Sequence, residues 1–214
     1  MASIQCTDSC DRFVCATSQK AVETTVLSSY FSKRRGSTLR NVAKVWEAAR
    51  ATAAATSFFD PIEIGGEHFV DGATPANNPI NEMWSEAFDT FKDSDDWRLE
   101  DNILCLVSIG TGIPSIKPFG DGLTEIADAL LAIATDTEKR AEDFHKHHTM
   151  MAKRQQYFRF NVLRGLEGIG LEDAAKKEVI LSCTRKYLQT ESVFNALEEC
   201  SGRLAERESA STFA

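Results

Sequence analysis

No uninterrupted apolar run in this 214-residue chain approaches the roughly 20 residues of a membrane span. The amino terminus shows no basic-then-apolar leader, and Met1-Ala2 lacks the glycine that N-myristoylation requires. Together these absences predict a cytoplasmic protein. Positive charge is in deficit as well: 24 Lys and Arg against 32 Asp and Glu leave a formal charge of -8, which argues against a general attraction to nucleic acid or anionic lipid. The local exception is Lys33-Arg34-Arg35 with Arg40, read as a solvated loop with a lipid-headgroup role as the alternative. Paired C-x-x-C spacing is missing. Cys6, Cys10, Cys15, Cys105, Cys183 and Cys200 are scattered, several in apolar runs, and read as reduced, mostly buried thiols. The Cys6/Cys10/Cys15 group has no nearby histidine, and His145, His147 and His148 have no second cluster to complete a coordination shell, so a solvated helix end is expected and no metal. Gly110-Thr111-Gly112 makes neither a full G-x-G-x-x-G nor a P-loop with its lysine, which points to a tight turn rather than a phosphate cradle. No cofactor is implied.

What is present suits one soluble domain: 43% hydrophobic and 9% aromatic residues at this length support a proper core. Residues 13–16 and 24–27 read as a hairpin. Leu39, Val42, Val45, Trp46 and Ala49 recur at helical spacing and predict a helix that turns Trp46 inward. Gly65-Gly66 marks a turn between two short strands, the second of which delivers Asp71. Gly72 permits a sharp exit with positive φ, Asn78 reads as an N-cap, and Pro79 reads as the first residue of a helix with the apolar face Ile80, Met83, Trp84, Ala87, Phe88 and Phe91. Residues 92–96 form a solvated linker. Residues 103–108 are nearly all apolar and suit a central strand buried on both faces. A long amphipathic helix over residues 123–144, a strand over 157–162, helices over 171–188 and 193–204, and a frayed polar tail complete the reading.

Asp71 therefore stands at a strand-to-helix corner, where a rigid scaffold presents a general base, although Asp-Gly alone is a common turn dipeptide. Three blocks occur in order around it: Ala49-Arg50-Ala51-Thr52 leading to Phe58-Phe59, then Asp71-Gly72-Ala73, then Ser108-Ile109-Gly110-Thr111-Gly112. This order resembles the second half of the patatin-like phospholipase domain. The resemblance implies a lipid acyl hydrolase using a Ser-Asp dyad, with Asp71 as proton acceptor, Gly72 and Ala73 shaping its corner, and Asn77, Asn78 and Pro79 anchoring the following helix. It implies acyl esters of glycerophospholipids or neutral lipids as substrates, no cofactor, and a cytoplasmic protein peripheral to membranes or lipid droplets.

One family feature has no counterpart. Patatin-like domains carry their nucleophile on a G-x-S-x-G elbow before the aspartate, after a glycine-rich oxyanion loop, and no serine in this sequence sits between glycines at that spacing. The expected fold is accordingly α/β, a patatin-like three-layer sandwich with a mostly parallel sheet, incomplete at its N-terminal side. Residues 1–207 are read as the C-terminal part of that domain and 208–214 as a polar tail. Alone, such a chain is expected to be inactive and to self-associate through uncovered sheet edges and apolar faces. The rival reading is a non-catalytic lipid- or protein-binding module derived from the same fold.

Overall fold

Two-residue alternation organises the first sheet. The computed structural model describes residues 11–55, 58–72, 76–113, 124–167, 169–170 and 173–211, with backbone alone at 124–135 and 206–211. Strand β1 (Phe13–Ser18) pairs antiparallel with β2 (Thr24–Ser28), as the hairpin reading predicts. Strands β3 (Ile62–Ile64) and β4 (Glu67–Asp71) form a second hairpin, turned by Gly65 and Gly66 at φ 62° and 83°. Both values lie where side chains other than glycine are strained, so Gly-Gly is the sequence the turn requires. Pairing of β1 with β4 joins the hairpins into one antiparallel sheet of order β2-β1-β4-β3.

On one face of this sheet Ala16, Leu27, Ile64 and Phe69 meet Ala48 and Ala51 of helix α2 (Val45–Thr52) and Ala43, which follows helix α1 (Thr38–Val42). Burying each large apolar side chain here contributes about 2 kcal/mol. The single helix expected over this region is two. Ala43 is extended at ψ 134°, and α2 restarts at Lys44, whose backbone N–H donates to Glu47 Oε2 at 2.8 Å. The restart presents alanines to the sheet, which lets the helix approach closely, and leaves Trp46 60% exposed. The expectation that Trp46 packs inward is therefore wrong: small residues, not the largest one, form the packing face.

Helix α3 (Ile80–Phe91) follows the Asp71 segment. Ile80 is buried, but Met83, Phe88 and Phe91 are exposed, and the buried residue of its second turn is Glu86 at 3% exposure. Periodicity does not anticipate this, because a carboxylate becomes tolerable inside only when cations meet it. Arg34 and Arg35 do so, Arg34 Nη2 at 3.3 Å from Glu86 Oε1 and Arg35 Nη1 in direct contact with it, while the Tyr30 hydroxyl donates to Oε2 at 2.6 Å. The basic loop read as solvated is thus a clamp on α3, with only Lys33 and part of Arg34 left to solvent.

The linker of residues 92–96 is exposed throughout, and the chain divides there into two compact units, Met1–Asp95 and Asp96–Ala214. In the second unit, β5 (Leu106–Ile109) and β6 (Tyr157–Phe160) run parallel. Parallel strands need a long crossover, and the segment between them contains α5 (Thr124–His147) and α6 (Thr149–Lys153). A short helix α4 (Leu99–Asn102) precedes β5. A 3-10 turn (Ala174–Lys176), α7 (Lys177–Leu188) and α8 (Glu191–Ser211) follow β6.

Three expectations change in this unit. β5 is not buried on both faces: Leu106 and Ser108 on one face are buried, while Val107 and Ile109 on the other are exposed. The chain beyond Arg207 does not fray at once but continues α8 to Ser211. The α/β class holds, yet mostly parallel pairing does not describe the observed strands, since the larger sheet is antiparallel and only β5–β6 is parallel.

Candidate active site

Asp71 closes β4, and three backbone-level ties fix it there. It stands opposite Ala16 in the β1 ladder, its N–H donates to the Ala54 carbonyl at 3.0 Å, and its carbonyl accepts the Thr17 hydroxyl at 2.9 Å. The strand pleat places its side chain on the same face as Ala16 and Phe69, the face covered by α2, where it is half-buried. Thr52 at the end of α2 donates its hydroxyl to the Cys15 carbonyl at 2.6 Å, so helix, β1 and β4 converge on one corner. Sequence reasoning placed the carboxylate correctly and missed Thr17, Thr52 and Ala54, whose roles depend on contacts remote in the chain.

Gly72 serves this corner differently from the expectation. It is absent from the positive-φ glycines of the described residues. A Cβ on Gly72 would lie 2.4 Å from the Cys15 carbonyl oxygen and 2.7 Å from its carbon. Glycine is needed for close approach of two backbones, not for a left-handed turn. Gly72→Ala is accordingly expected to cost about 3 kcal/mol of stability, because the obstacle is backbone and cannot rotate away; urea unfolding checks this, and a loss below about 1 kcal/mol would remove the clash from the argument.

Ala73 lies outside the described residues. Asn77 is exposed and Asn78 buried. Pro79 is not the first helical residue. It occupies the N-cap at φ -80° and ψ 30°, and its carbonyl accepts the Met83 N–H at 2.8 Å. Asn78 thus precedes the cap and does not form it. Proline has no side-chain acceptor, so α3 begins without a side-chain cap.

On the opposite face of the sheet, Cys15 and Ser28 share a side with the α3 clamp. Burial, helped by the charges of Glu82 and Glu86 and opposed by Arg35, pushes the Cys15 thiol up to about 12. A thiol so placed stays protonated and is no substitute nucleophile. Cys105, Cys183 and Cys200 are also free thiols, while Cys6 and Cys10 lie outside the described residues.

In the second unit, the Gly110-Thr111-Gly112 backbone is tied to β6 and to the chain that follows it. Gly110 N–H donates to the Phe160 carbonyl at 2.8 Å and Gly112 N–H to Asn161 Oδ1 at 2.7 Å, so both amides that a phosphate would need are occupied. Arg159 donates to the Ser108 hydroxyl at 3.0 Å, and Glu138 receives both Arg159 and Asn161, at 2.6 and 2.8 Å. A Cβ on Gly110 would fall 2.4 Å from Asn161 Oδ1, and Gly112 adopts φ +101°. The expected tight turn does not form: residues 110–113 make no turn, and their amides continue the pairing of β5 beyond Ile109 along the chain that follows β6.

His145 and His147 are exposed, but His148 is not a solvated helix end. Its ring lies against that of Phe144, tilted by 33° with centroids 4.3 Å apart, and Nδ1 lies 3.3 Å from Glu100 Oε1. Among the described residues, no group of three His, Cys, Asp or Glu side chains is arranged to hold a metal ion.

The corner around Asp71, built on β1, α2 and β4, has the form of a site in which a rigid sheet presents one carboxylate. Residues 7–84, which contain it, match the patatin-like phospholipase family, so the chain carries a segment of a patatin-like phospholipase domain. The chain is also similar to "Phospholipase A I" of Arabidopsis thaliana, 32% identical over 132 residues, which are 61% of this chain and 10% of that protein. The match thus spans about a tenth of the length of that curated relative.

Proposed function

We propose that this chain is the aspartate-bearing part of a lipid acyl hydrolase, in which Asp71 accepts the proton of a serine supplied from a G-x-S-x-G segment that this sequence does not contain. A serine hydroxyl is a weak nucleophile until a neighbouring base takes its proton, and the oxyanion that forms needs hydrogen-bond donors. Asp71 meets the first need only. The observation that carries the reading is its fixed, half-buried position at the strand end, within the residues that match the family. Gly72 and Ala73 keep the corner tight, and Asn77, Asn78 and Pro79 lead into α3. In the complete domain the two sheets would belong to a three-layer sandwich reaching residue 207. The substrates would be acyl esters of phospholipids or neutral lipids met at a membrane or lipid-droplet surface. No helix of the described residues is long and apolar enough to cross a membrane.

The missing elbow favours one rival, a lipid- or protein-binding module without turnover. A single preparation separates the two. The chain expressed alone is expected to take no label from a serine-directed fluorophosphonate, whereas co-expression with a G-x-S-x-G segment of the family is expected to restore labelling and esterase activity. Labelling of the chain alone would show that the nucleophile is already within it, and failure of every such segment to restore activity would favour the module.

A further inference from the structure

Helix α2 has an inner face of alanines against the sheet and an outer face that its packing does not use. On that outer face Trp46 is 60% and Val45 58% exposed, and Val42 is exposed just before the helix. One helical turn after Trp46 comes Arg50, whose guanidinium lies 4.8 Å from the centre of the Phe59 ring while its Nη2 donates to the Asp60 carbonyl at 2.8 Å. Lys44 Nζ lies 5.6 Å from the centre of the Trp46 ring. The outcome is one stripe, Lys44, Trp46, Arg50, Phe59, in which each exposed aromatic carries a cation at its face, and Phe59 is itself 55% exposed. Arg50 is half-buried, and its Nη1 is buried with no hydrogen-bond partner among the described residues.

The segment that leads into and forms α2 is also basic. Residues 33–50 hold six basic residues, Lys33, Arg34, Arg35, Arg40, Lys44 and Arg50, and one acidic residue, Glu47, in a chain whose net charge is -8. Arg34 and Arg35 are committed to Glu86, and Lys44 also pairs with Glu47 at 3.0 Å. Asp60 adds one exposed carboxylate beside Phe59. Interleaved aromatics and cations on a helix face match a bilayer interface, where rings enter the headgroup level and cations reach phosphates. α2 also ends at the Asp71 corner, through Thr52 and Ala54.

We infer that the outer face of α2 with Phe59 is the surface on which an anionic phospholipid bilayer docks, setting the Asp71 corner at the membrane. The inference rests on the lipid-hydrolase reading for its biological sense, but its test does not depend on turnover. The full chain is mixed with vesicles of ether-linked phosphatidylcholine, alone or with ether-linked phosphatidylserine, and sedimented at low and high salt. The wild-type chain is expected to sediment with the phosphatidylserine vesicles and to be released by salt. The double substitution Trp46→Ala with Phe59→Ala should weaken binding by about tenfold or more. Lys44→Gln with Arg50→Gln should remove the preference for phosphatidylserine and the salt dependence. Phe91→Ala, an exposed aromatic on α3, should bind as wild type. Trp46 and Phe59 are exposed and Lys44 and Arg50 half-buried, and circular dichroism checks the folding of each variant.

A wild-type chain that ignores both vesicles, or stripe variants within about twofold of it, overturns the inference. So does a stripe substitution that abolishes a dimer instead of vesicle binding, because the face would then belong to a second copy. Vesicle binding lost in the stripe variants, with no hydrolysis ever restored by a G-x-S-x-G segment, leaves this inference standing and defeats the hydrolase reading. Restored hydrolysis that the stripe variants leave untouched on vesicles does the reverse.

Discussion

In a protein that joins this chain to a G-x-S-x-G segment, Asp71→Asn is expected to lower kcat for ester hydrolysis by about 10³-fold, with the melting temperature nearly unchanged. The two halves of this expectation have separate causes. The corner is held by backbone groups, the Asp71 N–H on Ala54 and the Asp71 carbonyl under Thr17, and neither involves the carboxylate. An amide of the same shape therefore leaves these ties in place. It cannot take the serine proton, so the loss falls on the chemical step, on kcat more than on KM. Retention of most of the wild-type rate would exclude Asp71 from the proton transfer. A large fall in melting temperature would instead make the carboxylate a structural group whose loss moves the site.

The position of Asp71 was legible because its cause is local. Gly65-Gly66 can hardly be anything but a tight turn, and a three-residue strand on one side fixes how the other is read, so β4 and its last residue follow from a few neighbouring letters. The β1–β2 hairpin and the linker of residues 92–96 were legible for the same reason. Gly72 was placed correctly with the wrong cause. Its obstacle, the Cys15 carbonyl, is distant in sequence, and no local pattern distinguishes a glycine that turns from a glycine that makes room. Trp46 misled for a related reason: helical periodicity reports that an apolar face exists, and the choice between a tryptophan face and an alanine face is made by the distance at which the sheet accepts the helix. Parallel pairing was expected from the alternation of strand-like and helical segments and from the family resemblance, whereas both hairpins of the first unit dictate antiparallel neighbours. Glu86 left no signal at all, since Tyr30, Arg34 and Arg35 reach it from 51 to 56 residues away.

That buried carboxylate is expected to have a large effect on stability. Burial alone would push the Glu86 carboxyl up; the hydrogen bonds from Arg35 and Tyr30, with the charges of Arg35 and Arg34, outweigh it and hold it below the ordinary glutamate range. Burial and the bond to Glu86 conversely raise the Tyr30 hydroxyl, which remains a donor throughout the neutral range. Glu86→Ala removes the acceptor from three donors and leaves Arg35, whose side chain is 24% exposed, without its counter-ion. Breaking such a pair costs about 3 kcal/mol, more than the pair contributes relative to an apolar replacement of both partners, because the surviving charge keeps its desolvation penalty. The pH dependence follows in sign. A carboxyl whose folded pKa is depressed binds fewer protons in the native state than in the unfolded state, so its stabilisation is complete above the unfolded value of about 4.3 and is lost as pH falls through the lower folded value. The urea midpoint of the wild-type chain is expected to fall through that acidic window, while that of Glu86→Gln, already lower at neutral pH, changes less across it. Equal acid sensitivity of wild type and Glu86→Gln would mean that the clamp does not couple to this titration, and a Glu86→Ala variant as stable as wild type would mean that Arg34 and Arg35 find solvent as readily as they find α3.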